Sequence, residues 1–166
     1  MNALCEELVG RKDVTLRYRT GYQYDKGATT LKQRFQEAIW QPMDVGEIGL
    51  STKPLVDAAG KVLRVTVSGA DLHLAKQDAE KHPLWTGKLD IFLVHRDAAG
   101  QHAKVTGQTV GLRLKPQTYQ HAMNEGLTFD ERIDPKLAGG SLRVVVVDVN
   151  SGRLGSVTVP SAAFQP

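Results

Sequence analysis

Leu142-Arg-Val-Val-Val-Val-Asp-Val149 holds four consecutive valines, so from Val144 to Val147 it is apolar at odd and even positions alike. A strand with one wet face alternates; one apolar on both faces needs cover on both. This run therefore belongs at the centre of a sheet, covered on both sides or at the most buried point of a sandwich. Asn150-Ser-Gly152 follows it, then Leu154 to Val159. Gly supplies the positive φ of a tight turn and an Asp or Asn side chain accepts from the turn's own backbone, so the two runs form an antiparallel hairpin. Asp148 is expected to cap the amides of Ser151 and Gly152. Asp148 to Gly152 lacks the third acidic position and the terminal Glu of a twelve-residue calcium loop, so it reads as a turn and not as a metal site.

Working outward, five further β-runs are separated by turn residues: Ile48 to Val56, Lys61 to Ser68, Gly87 to His95, His102 to Leu114 and Leu127 to Ile133. Asp97-Ala-Ala-Gly100 makes a second hairpin turn, with Asp97 and Gly100 in the same roles. Seven strands at this spacing predict a mainly β fold, an antiparallel β-sandwich. Pro116 to Glu125, with Pro at the first helical position and Gly126 just past the last, predicts one short helix whose Tyr119 and Met123 dock on the sandwich edge.

The N-terminal part has a different texture. Val14, Leu16 and Tyr18 alternate with Thr15, Arg17 and Arg19, which predicts a strand. Thr30 precedes Leu31, Phe35, Ala38 and Ile39, and Gln33 is placed to close a capping box, which predicts a helix stopped by Pro42. Residues 1–43 are thus read as a separate strand-helix segment and residues 44–166 as the sandwich. A strand without neighbours must pair with something, so this segment is expected to dock on a sandwich edge or to form a homodimer.

Composition excludes several function classes. The 166 residues are 41% apolar and 23% charged, with a net charge of +3, typical of a globular chain and too evenly mixed to indicate nucleic acid. The single cysteine, Cys5, excludes an internal disulfide framework and multi-Cys metal sites. No apolar run approaches 18 residues, and the opening residues lack the basic start and apolar stretch of a secretory signal, so neither membrane insertion nor a signal peptide is expected. His73, His82, His95, His102 and His121 show no metal-ligand spacing, a nucleophile elbow is absent, and Gly139-Gly140 precedes a strand where a phosphate loop would open a helix. No catalytic, metal or cofactor-binding residues are assigned, and no enzyme is expected. Candidate interaction residues are Arg17 and Arg19 as a basic strand face and Trp40 and Trp85 as aromatic contacts, although both Trp read more simply as buried anchors.

With these runs in place, Lys88-Leu-Asp-Ile-Phe-Leu-Val94 with Asp97 and Gly100, Leu112-Arg-Leu114 with Tyr119 and Gly126, and Leu142 to Asp148 with Ser151-Gly152-Arg-Leu-Gly155-Ser156 and Pro160 follow a known order. Residues 44 to 160 resemble the C-terminal region of VWFA-related acidobacterial-type proteins, in which an immunoglobulin-like domain follows a von Willebrand factor A-like domain. Tyr18-Arg-Thr-Gly-Tyr22 is similar to the closing strand of that A-like domain, while the Asp-x-Ser-x-Ser metal pattern occurs nowhere in this chain. The resemblance implies a non-catalytic accessory or protein-interaction module of a larger exported bacterial protein, extracellular or periplasmic, with a protein partner and no cofactor. The competing reading is a carbohydrate-binding module using exposed aromatics.

Overall fold

The computed structural model describes residues 30–78, 82–100, 103–134 and 139–164. The predicted strand at Val14 to Tyr22, with Arg17 and Arg19, lies outside them. Chain order is α1 (Leu31–Trp40), β1 (Leu50–Asp57), β2 (Gly60–Val67), β3 (Ala75–Gln77), β4 (Leu84–Arg96), β5 (Ala103–Leu114), α2 (Pro116–Glu125), β6 (Leu127–Arg132), β7 (Ser141–Asp148) and β8 (Leu154–Pro160). The fold is mainly β and consists of two antiparallel sheets. All seven expected strands are present; β3, three exposed residues without an apolar pattern, is additional.

One sheet runs β1-β2-β6, with Pro54 confined to edge strand β1, where a missing amide costs little. In the other, β4 is paired along one side by β5 and along the other by β3 and then β7, beyond which lies β8. Leu63, Val65 and Val67 of β2 meet Leu89 and Ile91 of β4 and Val144 and Val146 of β7 in the layer between the sheets. The other face of β7 explains the unbroken valine run. Val145 and Val147, with Val94 and Leu154, form a second cluster closed by Ala38 and Ile39 of α1. The helix before Pro42, read from sequence as part of a separate segment, thus shares a core with the larger sheet.

Both helix boundaries follow from local chemistry. The Thr30 hydroxyl accepts from the Gln33 amide while the Gln33 side chain accepts from the Thr30 amide, which completes the capping box. Pro116 opens α2, and Gly126 at φ 85° closes it in the left-handed region. Replacing Val146, which is fully buried, by Asp places an unpaired charge between the sheets, a class of change that costs several kcal/mol. V146D is therefore expected to abolish the cooperative thermal unfolding transition seen by circular dichroism; an unchanged midpoint would contradict the central position of β7.

Candidate interaction surface

Two charged side chains sit at opposite ends of β7, and each is only 1% exposed: Arg143 and Asp148. Arg143 reaches under the end of α1. Its Nη1 donates to the carbonyls of Ala38 at 2.9 Å, Ile39 at 3.4 Å and Gln41, its Nη2 to the Met43 carbonyl at 2.8 Å and Asp44 Oδ1 at 3.0 Å, and its Nε to Thr158 Oγ1 at 3.1 Å. The last carbonyls of a helix lack partners within it and carry partial negative charge, so a cation there is favourable. One guanidinium therefore ties helix, following loop and sheet together.

The loop so held seals an edge. Val149 donates its amide to the Lys88 carbonyl and Asp148 donates its own to the Arg153 carbonyl. By alternation, the even-numbered residues of β8 direct their backbone groups away from β7. All three outward amides are taken: Leu154 donates to Glu47 Oε2 at 2.9 Å, Ser156 to the Val45 carbonyl at 2.8 Å and Thr158 to Asp44 Oδ2 at 3.2 Å. Gly155 permits this approach, because a Cβ there would lie 2.4 Å from the Ile48 carbonyl oxygen.

Among the described residues the opposite edge is open. The Val149 to Lys88 bond assigns the even residues of β4 to β7, so its odd residues bond to Lys104, Thr106, Gln108 and Val110 of β5. Val105, Gly107, Thr109, Gly111 and Arg113 consequently point their N–H and C=O groups outward, and among the described residues β5 pairs with β4 alone. The ring of Phe92 lies over Gly107, where a Cβ would come within 2.5 Å of it. Beneath β5, the flank facing β6 opens into a cavity of about 180 Å³ lined by Leu93, His95, Lys104, Thr106, Ile133 and Leu142. Gln108 crosses that flank to donate to Glu131, whose carboxyl is pushed up by burial and drawn partly back by this bond.

The aromatic candidates part company. Trp85 is half-buried and stacks on Tyr119 of α2, centroids 4.3 Å apart and planes at 12°, so each occupies a face of the other. Trp40 is 57% exposed and is not the buried anchor expected from its size. It is the ninth residue after Leu31, which at 100° per residue turns it away from the apolar stripe, and that spacing was the signal for its exposure. Trp40 lies 5.8 Å from the Arg96 guanidinium carbon. Nε and Nη2 of Arg96 are buried without a hydrogen-bond partner among the described residues. Burial first, and the charge of Arg143 second, push this guanidinium's pKa down.

The turns keep their expected positions with altered contacts. Gly100, at φ 69°, donates its amide to the Asp97 carbonyl at 3.0 Å. Gly152, at φ 72°, donates to the backbone carbonyl of Asp148 and not to its carboxylate. That carboxylate instead accepts from the amide of Asn150, the hydroxyl of Ser151 and, from across the sandwich, the amide of His73. Asn150 likewise turns away from the hairpin backbone and donates to the His73 carbonyl. Asp148 is thus a buried tie between hairpin and the β2–β3 connection. Among the described residues no cluster of three or more His, Cys, Asp or Glu could hold a metal ion, and no helix is long and apolar enough to cross a membrane.

Compared with protein-family models, curated proteins and solved structures, the chain matches none.

For Asp44, burial is the largest single effect and disfavours the charged form. The bonds from Arg143 and Thr158, with the Arg143 charge, together outweigh it and hold the carboxyl below its ordinary value of 3.8. A depressed folded-state pKa stabilises the fold above that ordinary value and loses its contribution as pH falls below it. D44N is expected to flatten the dependence of the unfolding midpoint on pH below about 4, and R143M to lower stability by about 3 kcal/mol with loss of helical signal. An unchanged acid limb in D44N would contradict the pairing.

Proposed function

We propose that the chain is a non-catalytic protein-interaction module of a larger exported bacterial protein, and that it takes an extended partner segment by strand addition along β5. The observation that carries this reading is the contrast between the two edges of the larger sheet: one with its three outward amides taken, the other a 12-residue strand whose alternate backbone groups have no strand partner among the described residues. Long open edges invite pairing with another chain, and folded proteins usually blunt them. Backbone bonds would supply affinity and the flanking side chains selectivity. Lys104 and Arg113, both charged and exposed, discourage indiscriminate edge-to-edge association without closing the edge.

The exported setting rests on the resemblance of residues 44 to 160 to the domain that follows the A-like domain. Sugar binding would need a platform of exposed rings, and Trp40 is the one described Trp or Tyr that presents a largely open face.

Val105→Pro tests the reading. It removes an outward amide and leaves the bonds to β4 intact, whereas Thr106→Pro removes a ladder bond. In panning of displayed decapeptides with alternating valine and threonine against the full chain, V105P is expected to reduce retention at least tenfold with an unfolding midpoint within a few degrees of the parent. T106P is expected to lower that midpoint. Undiminished retention by V105P would overturn strand addition, and polysaccharide binding lost in Trp40→Ala would favour the sugar reading.

A further inference from the structure

Among the described residues, the outer face of the sheet holds an incompletely partnered guanidinium on β4, the strand next to β5. Arg143 spends every nitrogen on Thr158, the end of α1 and Asp44. Arg96, on the neighbouring strand, has two buried nitrogens without a described partner and sits under the indole of Trp40. A buried donor left unmade costs free energy that a bound acceptor recovers, and a guanidinium is best matched by a carboxylate taking two parallel bonds. A phosphate would satisfy the same donors, but the geometry favours a side chain delivered by a strand. Arg96 is opposite Ala103, the first residue of β5, and paired residues share a face. A residue opposite Ala103 on an added strand would lie two strand spacings, roughly 10 Å, from Arg96, within the joint reach of an arginine and a glutamate.

We propose that Arg96 and Trp40 form a carboxylate-reading site for the strand taken up at β5, so that the partner segment carries an Asp or Glu on the face turned toward α1, near the Ala103 end. This rests on strand addition as the mode of binding. Trp40 is anchored by the end of α1, and rotation of its exposed indole uncovers the guanidinium, after which the ring packs on the incoming chain. Tryptophan and arginine together are the side chains most often found at the energetic centre of protein interfaces.

The same panning, with one position at a time randomised in the alternating decapeptide, reads this directly on the full chain. On the parent chain, Asp and Glu are expected to be enriched at least tenfold over Asn and Gln at one fixed position, and Trp40 fluorescence to change when the selected peptide is added. R96M, which keeps the stem and removes the donors, is expected to lose the enrichment while still retaining peptides, and R96K to keep only part of it. Equal selection of carboxylates and amides, or enrichment undiminished in R96M, would overturn the carboxylate site and leave strand addition standing. Retention and carboxylate enrichment that both survive undiminished in V105P would overturn strand addition and, with it, a carboxylate site served by the added strand. No retention on the parent chain would overturn both. Enrichment that appears only after Glu6, Glu7, Asp13 and Asp25 are changed to their amides would assign Arg96 to the chain's own first residues and overturn a partner site.

Discussion

A single buried guanidinium holds α1 against the larger sheet, and much of the surface follows from it. Arg143 lies inside the most apolar strand, where an arginine is tolerated only if every donor finds an acceptor. The acceptors are the carbonyls that end α1, the Met43 carbonyl, Thr158 and Asp44. Their convergence fixes where the helix stops and sends residues 44 to 48 along the outer edge of β8. Without that path the second face of the valine strand would lack its cover and the edge of β8 its caps.

The two edges of the sheet are unequal as a result. One end of the chain's own order is spent closing β8, and nothing described performs that service for β5. The three-stranded sheet does not extend far enough to cover β5 from below either, which leaves Thr106 and Gln108 exposed on its inner face and a cavity beside Leu93 and Leu142. Openness is therefore a property of the arrangement as a whole and not of one residue. The carboxylate site proposed at Arg96 draws on the same asymmetry, since Arg96, with two nitrogens lacking a partner among the described residues, belongs to β4, the strand next to the free edge.

Much of this was legible in the sequence, and the remainder fails for definable reasons. Period-two alternation located the strands, and the doubly apolar run from Val144 to Val147 announced cover on both faces, because those signals are local. Thr30, Gln33, Pro116 and Gly126 marked the helix ends for the same reason. Edge positions were not legible: which strand lies outermost depends on pairing between residues far apart in sequence. The roles of Arg143 and Asp148 were half visible. Charges inside an otherwise apolar strand signal burial, but not which carbonyls and amides they will satisfy. Trp40 was misread because size suggested burial where helical spacing pointed outward. His73, which anchors the turn at Asp148 through its backbone, gave no side-chain signal at all.

Amide hydrogen exchange, followed residue by residue in the free chain, tests the edge asymmetry most directly. The amides of Leu154, Ser156 and Thr158 are expected to be protected along with those of Thr106, Gln108 and Val110, while those of Val105, Gly107, Thr109 and Gly111 exchange rapidly. Strong protection of the latter four in the free monomer would mean that β5 is already paired, and would contradict an edge available to a partner.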